Sequence, residues 1–391
     1  MDSYLNVKMN DLKKKGAWHT AREIAGQPSV WKKTRSFLQK ARASLLPFIN
    51  NIYSKQDVSV ILTGAGTSAF IGKVLEGPFQ ELSGKNVRAI ATTDLVTHPH
   101  LYLQKNRPTL LVSFARSGNS PESVKAVKLA DDLCDDIYHL IITCNGQGQL
   151  AGQADRDKAY VFLLPPEADD QSLAMTSSFT SMLLAGFLIA AINEMNRFDE
   201  DLDILGRYAG RVFNGYLSEL KKVSELLFER AIFLGSGLFK GIAEESHLKL
   251  QELTDGRIIC KHDTFLGFRH GPKAVIDEKT LLVFLFSNDA YAQQYERDLV
   301  QAINEGQKGL FRIGVMEQDM DVPVDLKIIL NDTNNRIDET LLALVSVLPA
   351  QIIGFFKSLN LGLKPDAPSE SGTITRVVQG VKLYPHHMAA E

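Results

Sequence analysis

Three ionisable residues with helical spacing, Glu245, Lys249 and Glu252, are the first candidates for chemistry in this chain. Their i, i+4, i+7 spacing places all three on one face of a predicted helix. A carboxylate held beside a lysine could serve as a general base. The same spacing also describes a solvated stripe of salt bridges, which is the commoner arrangement. The residues by themselves leave both alternatives open.

His270 lies between Arg269 and the dipeptide Gly271-Pro272, in a segment predicted to be a loop. Histidine titrates near neutral pH, so a loop histidine fixed by such neighbours is suited to moving protons. A loop histidine without a chemical task is the alternative.

An anion-binding loop is predicted within the stretch Leu110–Ser123, LLVSFARSGNSPES. Its apolar start is typical of a buried parallel strand, and Pro121 followed by an acid is typical of the first turn of a helix. Between them, Ser117 and Ser120 supply hydroxyl donors and Arg116 supplies a cation near the helix N-terminus. These features predict a phosphate pocket, with an ordinary serine-capped turn as the alternative.

A second loop of small residues, Gly64-Ala65-Gly66-Thr67-Ser68, follows the first predicted strand. Its glycines allow a ligand to approach the backbone, and Thr67 and Ser68 can donate to an anion. Because Ala69 stands where a dinucleotide motif has its third glycine, a dinucleotide site is not favoured. Both loops would lie at the carboxyl ends of parallel strands, where open α/β sheets bind ligands.

Ten short apolar runs alternate with helical segments, which predicts parallel α/β sheets with helices on both faces. The runs are residues 58–63, 87–91, 109–113, 139–143 and 159–163, then 231–235, 257–260, 280–286, 311–316 and 327–330. Gly64 and Gly66 recur as Gly235 and Gly237, 171 positions later, and other strand starts keep that offset. The repeat predicts two copies of one five-stranded domain.

The repeat fails at the anion-binding loop. The place of ARSGNS in the first copy is taken in the second by FSNDAY, residues 286–291. That second segment has no Ser-Gly pair and no cation. One phosphate anchor per chain is therefore predicted, in the first copy.

The predicted organisation is an N-terminal helical segment, two domains and a tail over the site. The boundaries are 1–55, 56–205, 215–362 and 363–391, with the join in a charged segment within Asn196–Leu217. In the N-terminal segment, one helix is predicted to end before Pro28 and a second to cover Val30–Tyr53.

Composition restricts the class of protein. Hydrophobic residues make up 45% and charged residues 23% of the 391 residues, and the net charge of −3 gives no bulk attraction to nucleic acid or to a membrane. The first residues lack the apolar core of a signal peptide. The apolar stretches Met182–Ile192 and Leu341–Phe356 fall short of the roughly 18 residues of a membrane span, so both are predicted to be buried helices.

Cysteines and the other histidines indicate neither a disulfide framework nor a metal site. Cys134, Cys144 and Cys260 have no close paired spacing, which fits a reducing cytoplasm. The pairs His98 with His100 and His386 with His387 lack metal-ligand spacing. No metal and no other cofactor is predicted.

As an ordered set, these motifs resemble the sugar isomerase (SIS) family, in the arrangement of the isomerase half of glucosamine-6-phosphate synthase. The chain has an EI-x-x-QP helix from Glu23 to Pro28, a GTS loop, an SG loop, an E-x3-K-x2-E helix and an HGP loop. The resemblance covers residues 20–380. It implies two tandem SIS domains, each a five-stranded parallel sheet with helices on both faces.

The resemblance also implies roles for individual residues. Substrate binding, chiefly through a sugar 6-phosphate, is implied for Gly66, Thr67, Ser68, Arg116, Ser117, Ser120, Thr176 and Lys249. Glu252 would move a proton between C1 and C2. His270 would assist ring opening from the neighbouring subunit, so a homodimer with a shared active site is expected.

Some positions depart from the family pattern. Ala115 replaces a serine donor and Arg116 replaces a neutral amide, and whether the arginine charge compensates is left open. The Schiff-base lysine of the synthase has no counterpart in the tail, where Lys364, Arg376 and Lys382 are candidates only for closing the site.

The resemblance implies a reaction that uses no glutamine. Only about 50 residues precede the first sheet, so a glutaminase domain is not expected. The tail and residues 91–99 resemble the AgaS type of galactosamine-6-phosphate deaminase/isomerase, also named tagatose-6-phosphate ketose/aldose isomerase. The implied products are tagatose 6-phosphate and ammonia. The alternatives are aldose–ketose isomerisation without ammonia release and a non-catalytic regulator, and the choice between galacto and gluco substrates is left open.

Overall fold

The computed structural model describes residues 3–153, 155, 157–331, 336–378 and 380–386. The chain divides into two compact units, and each unit is assembled from separate stretches of sequence. Unit 1 comprises Met1–Lys32, Asp170–Thr180 and Glu194–Thr373, and unit 2 comprises Lys33–Asp169, Ser181–Asn193 and Ile374–Glu391. The domain boundaries given above stay a prediction.

Strands and helices alternate over most of the chain. The strands are β1 (Ser3–Tyr4), β2 (Val7–Lys8), β3 (Ser59–Thr63), β4 (Asn86–Ala89), β5 (Thr109–Ala115), β6 (Ile137–Thr143), β7 (Ala159–Leu163), β8 (Arg230–Gly235), β9 (Ile259–Asp263), β10 (Thr280–Leu285), β11 (Phe311–Met316) and β12 (Leu326–Ile329). The helices are α1 (Met9–Lys14), α2 (Trp18–Tyr53), α3 (Thr67–Ser83), α4 (Thr92–Thr97), α5 (Pro121–Leu133), α6 (Gln149–Gly152), α7 (Ser177–Ala190), α8 (Asp199–Arg211), α9 (Leu217–Glu225), α10 (Phe239–Leu253), α11 (Phe265–Phe268), α12 (Ala290–Glu305), α13 (Glu339–Ser346) and α14 (Leu348–Asn360). All ten predicted strands are present, with ends displaced by up to three residues. The short antiparallel pair β1–β2 was not predicted.

Each unit contains one five-stranded sheet in which all neighbouring strands run parallel. The strand order is β4-β3-β5-β6-β7 in unit 2 and β12-β11-β10-β8-β9 in unit 1. Read from its other edge, the second order repeats the first, which confirms the predicted pair of parallel α/β sheets. In both sheets the first and third strands are neighbours, and this is the switch point where doubly wound sheets bind ligands.

Both faces of the central strands are covered, because β5 and β10 are buried along their whole length. On one face of the unit 1 sheet, Ile232, Leu234 and Phe284 pack with Leu299 and Val300 of α12 in a single apolar cluster. Helix α10 packs on α14 and on strands β8 and β9. Burial on both faces explains why the strands read as continuous apolar runs.

The two copies repeat at the level of backbone geometry. Gly64 directly follows β3 and Gly235 ends β8. A Cβ at these positions would lie 2.6 Å from Ser68 main-chain atoms and 2.4 Å from the Phe239 main-chain oxygen, respectively. The repeat therefore depends on glycine, which lets each following helix approach its strand.

Helix α2 runs unbroken through Pro28, so the prediction that a helix ends before this proline is wrong. Pro28 has no N–H to donate to the carbonyl of Ile24 one turn earlier. The side-chain amide of Gln27 donates to that carbonyl instead, at 3.1 Å. The amide also donates to the side-chain oxygen of Gln351, at 2.7 Å.

One helical stretch among the described residues is long and apolar enough to cross a membrane. It is Glu339–Asn360, with 22 residues, and 94% of its most apolar window is buried inside the protein. The prediction that this stretch is too short is wrong, because the helical residues extend beyond both predicted ends, from the start of α13 at Glu339 to the end of α14 at Asn360. Its burial agrees with the prediction of a core helix.

Candidate functional site

In unit 2 the two predicted anion loops lie at the carboxyl ends of β3 and β5, the neighbouring strands at the switch point. The first loop enters the N-terminus of α3, and the second enters the N-terminus of α5. The fold thus brings six predicted ligand-binding residues to one end of one sheet: Gly66, Thr67, Ser68, Arg116, Ser117 and Ser120. Main-chain N–H groups at two helix N-termini favour an anion at this position.

The serine hydroxyls of the second loop do not cap helix α5. Ser120 is the residue before α5, and Pro121 occupies the first turn as predicted, but the Ser120 hydroxyl makes no capping hydrogen bond. The hydroxyl oxygen of Ser117 accepts a hydrogen bond from the Asn119 N–H at 3.3 Å, which leaves its own proton for another acceptor. The alternative of an ordinary serine-capped turn does not describe this loop.

A neighbouring loop after β6, which no sequence motif singled out, supports the anion loop through hydrogen bonds. Asn145, just after β6, donates its side-chain amide to the main-chain oxygen of Ser117 at 3.0 Å, and the Leu150 N–H donates to that of Gly118 at 3.1 Å. A Cβ on Gly148 would lie 2.5 Å from the Ser117 oxygen, so only glycine fits. The glycine- and amide-rich run after the fourth strand was the available signal.

Arg116 is held by the C-terminal part of unit 2. Its guanidinium is almost fully buried and donates to the main-chain oxygen of Arg376 at 2.6 Å. The guanidinium of Arg376 in turn pairs with Asp169 at 2.7 Å. A chain of contacts therefore fixes the cation that stands in the anion loop.

In unit 1 the Glu245, Lys249 and Glu252 side chains come together on α10. The Lys249 ammonium lies 2.6 Å from Glu252 and 3.5 Å from Glu245, and Lys249 and Glu245 are both fully buried. The alternative of a solvated salt-bridge stripe is therefore wrong. Glu252 keeps 23% of its side chain exposed, so it is the member of the group that a ligand can reach.

His270 lies in the turn after α11, also in unit 1, and its side chain is exposed. The main-chain N–H of His270 donates to the main-chain oxygen of Gly267 at 3.0 Å, and Gly271 adopts a φ of +112°, a conformation that favours glycine. Arg269 is paired with Asp298 at 2.7 Å. These contacts shape the turn and leave the imidazole pointing away from the core.

Thr176, a predicted substrate-binding residue, is fully buried at the N-terminus of α7. Both its N–H and its hydroxyl donate to Asp170, at 2.8 and 3.1 Å. Asp170 also accepts hydrogen bonds from the N–H groups of Ser177 and Ser178, so its carboxylate caps the helix. A substrate contact of Thr176 stays a prediction.

The EI-x-x-QP motif has a structural task in unit 1. Glu23 accepts hydrogen bonds from the Gln171 N–H at 2.7 Å and from the Ser172 hydroxyl at 2.5 Å. Burial raises the pKa of Glu23 to about 7, and the Asp170 carboxylate adds to this effect. Gln27 accepts from the Thr180 hydroxyl at 2.8 Å, so the motif fastens the segment 170–180 to α2.

The second copy lacks an anion loop for a physical reason. At its switch point, the Ser287 N–H donates to Glu296 at 3.1 Å and the Ser287 hydroxyl donates to Glu339. Burial raises the pKa of Glu296 to about 8. The donors that would hold an anion are therefore already bonded to carboxyl groups of the chain itself.

Comparison with known proteins gives the family. The SIS domain family matches residues 52–192. A D-galactosamine-6-phosphate deaminase AgaS of Shewanella sp. (strain ANA-3) is 41% identical over 388 residues, which cover 98% of this chain and 96% of that protein. The chain belongs to the AgaS family of SIS-domain proteins.

Two solved structures agree with this assignment to the AgaS family. A Clostridium novyi NT protein, provisionally described as a tagatose-6-phosphate ketose/aldose isomerase, superposes with a TM-score of 0.96 at 38% identity, covering 99% of this chain and all of that one. The tagatose-6-phosphate ketose/aldose isomerase of Escherichia coli has a TM-score of 0.84 at 36% identity, covering 94% of this chain and 96% of that one.

Two tail residues of this AgaS-family chain, Lys364 and Lys382, were candidates for closing the site, and they have different neighbours. Lys382 places its ammonium 5.0 Å from the ring centre of Tyr384, and Lys364 lies against Gly16. Within the part of the chain that the structure describes, no group of three or more His, Cys, Asp or Glu side chains could hold a metal ion. His387 lies outside the described residues.

Proposed function

We propose that the chain is an isomerising deaminase that converts galactosamine 6-phosphate and water into tagatose 6-phosphate and ammonia. The observation that carries the proposal is the buried Lys249 beside the partly exposed Glu252, a carboxylate held in place for proton transfer. The near full-length identity to the Shewanella deaminase supports the choice of substrate. The free cysteines Cys134, Cys144 and Cys260 support a cytoplasmic location.

In this proposal the 6-phosphate is bound by the two loops at the switch point of the unit 2 sheet. Thr67, Ser68, Ser117 and Ser120 supply hydroxyl donors, and Gly66 lets the phosphate approach the backbone. Arg116 supplies the positive charge, in place of the donor that Ala115 lacks. Binding energy from the phosphate, remote from the reacting carbons, would orient the sugar for the proton transfer.

Glu252 is the proposed general base in the 1,2-proton shift. In the open-chain amino sugar, the C2 proton is acidic because it lies alpha to the C1 aldehyde. Glu252 takes this proton while the C1 oxygen gains one from water, which leaves an enolamine. Glu252 then returns its proton to C1, and the nitrogen loses a proton to water to give an imine at C2. Water then adds to the imine carbon, and ammonia leaves with the ketose phosphate as the other product. Lys249 positions the Glu252 carboxylate throughout.

His270 is the proposed acid–base group for ring opening, acting in the site of a neighbouring subunit of a homodimer. Its exposed position in a fixed turn supports this role, because such a side chain is free to meet a partner. Mixing inactive Glu252→Gln and His270→Ala chains would test it. A shared site predicts recovery of about a quarter of wild-type activity in the mixture, since random pairing restores one complete site in each mixed dimer. Recovery of no activity in verified mixed dimers would contradict sharing.

An aldose–ketose isomerase of a hexose 6-phosphate is the second candidate, since two solved relatives carry that description. It uses the same general base and the same phosphate anchor, with oxygen in place of nitrogen at C2. Ammonia release separates the two reactions.

The Glu252→Gln variant tests the assignment of the base. We expect ammonia release to fall by about 10²–10⁴-fold, which is the usual contribution of general-base catalysis. Binding of the sugar phosphate, measured by calorimetry, should be retained within about threefold. A Glu278→Gln variant removes an exposed carboxylate of the same unit and is the control, with unchanged activity expected. Wild-type turnover by Glu252→Gln would remove the residue from the mechanism.

A further inference from the structure

Two histidines outside the proposed machinery face each other in unit 1. His247 lies on α10 and His262 lies on β9, and their Nδ1 atoms are 3.2 Å apart. The ring centroids are separated by 4.7 Å, and the ring planes are inclined by 32°. A separation this short between two ring nitrogens is possible when they share a proton or when they share a cation.

The distance between the nitrogens fits a shared metal ion. Histidine nitrogens bind zinc at about 2.0–2.1 Å, so two nitrogens 3.2 Å apart subtend an angle of about 100° at the ion. This angle is close to the tetrahedral value that zinc adopts. Ring centroids of two such ligands would lie about 5 Å apart, near the separation observed here.

The groups around the rings also fit. Glu244 is buried, and its carboxylate lies 3.9 Å from Nε2 of His262. This distance is longer than a hydrogen bond, but a carboxylate beside the pair favours a cation between the rings.

We propose that His247 and His262 bind a divalent cation of the zinc class, with water in the remaining coordination positions. Imidazole nitrogens suit zinc, cobalt and nickel rather than magnesium or calcium. Water is assigned because no third His, Cys, Asp or Glu completes the group within the described residues. His262 keeps 27% of its side chain exposed, so solvent reaches the pair.

The cation would fasten α10 to β9. Helix α10 carries Lys249 and Glu252, and β9 leads through α11 to His270. The ion would act as a structural clip between these elements and would take no part in the proton transfer. The proposal therefore stands or falls independently of the proposed function.

Metal titration of the full-length protein tests the proposal. After treatment with a chelator, zinc chloride is added in a calorimeter, and cobalt chloride is added with its visible absorption recorded. We expect one equivalent of zinc per chain with micromolar affinity, and a cobalt spectrum of tetrahedral intensity. His247→Asn and His262→Asn should each weaken zinc binding at least tenfold.

A matched control is the pair His98 and His100, whose rings lie 6.3 Å apart on an exposed surface of unit 2. Replacing both by asparagine should leave zinc binding unchanged. Wild-type affinity in the double variant His247→Asn/His262→Asn would overturn the proposal, as would the absence of binding at 100 µM zinc in the wild type. If the variants fail to fold, X-ray absorption of the zinc-loaded wild type decides between the outcomes. Two imidazole nitrogens at about 2.0 Å from the zinc support the site, and a zinc ion without imidazole ligands refutes it.

Discussion

The ammonium nitrogen of Lys249 lies 2.6 Å from a carboxylate oxygen of Glu252, and no part of the lysine side chain reaches solvent. A buried charge is stable only when it is paired, and Lys249 is paired with two carboxylates on its own helix. Substitution by methionine, which keeps the length of the side chain, would leave the fully buried Glu245 without its cation. We expect Lys249→Met to lower the free energy of unfolding by about 3–5 kcal/mol in chemical denaturation.

The double variant Glu245→Gln/Lys249→Met separates charge from packing. It removes the buried carboxylate together with its cation, so part of the lost stability should return. Lys279→Met removes the cation of an exposed pair with Glu229 and should change stability little. A Lys249→Met protein as stable as the wild type would contradict the description of a buried, mutually dependent group.

The raised pKa of Glu23 predicts how the stability of the folded protein depends on pH. Its pKa is about 7 in the folded protein and about 4.5 when unfolded, so the folded state binds more protons between these values. The free energy of unfolding should therefore fall as pH rises from about 4.5 to 7, by about 3 kcal/mol from this residue. Denaturation at a series of pH values should show a flatter profile for Glu23→Gln. An equally steep profile would assign the dependence to other groups, such as Glu296.

Substitution of Arg116 is expected to change the affinity for substrate rather than the turnover rate. In Arg116→Gln, the neutral amide of the family pattern replaces the cation, and the charged hydrogen bond that we propose to the phosphate would be lost. Such a bond contributes about 1.5–3 kcal/mol, so KM should rise about 10–100-fold with kcat within about threefold. Arg107→Gln is the control, since Arg107 precedes β5 at the opposite end of the same strand. An unchanged KM would mean that Arg116 serves only the contact with Arg376.

Much of the fold could be predicted because strands buried on both faces leave an unambiguous apolar run. All ten strands of the two sheets followed from this signal, and the start of α5 at Pro121 followed from the proline and the acid after it. The unbroken α2 could not be predicted, because a local rule for Pro28 was overridden by a side-chain hydrogen bond from Gln27. Helix-ending signals describe the main chain and take no account of such substitutes.

The motif residues of the candidate site could be predicted from the sequence, whereas the long-range contacts that hold them in place could not. The spacing of Glu245, Lys249 and Glu252 gives a common face, but only their burial distinguishes a built site from a surface stripe. The contact of Arg116 with Arg376 joins positions 260 residues apart, which no local pattern reveals. The failed repeat at Ser287 was visible in the sequence, whereas the carboxylates of Glu296 and Glu339 that occupy its donors were not.

The deaminase proposal is tested most directly by an assay of the purified wild-type protein for ammonia, with galactosamine 6-phosphate and glucosamine 6-phosphate side by side. We expect one ammonia per tagatose 6-phosphate formed from galactosamine 6-phosphate, with a kcat/KM at least tenfold above that for the gluco substrate. If neither hexosamine phosphate yields ammonia while tagatose 6-phosphate is isomerised to its aldose, the deaminase proposal is wrong and the isomerase takes its place.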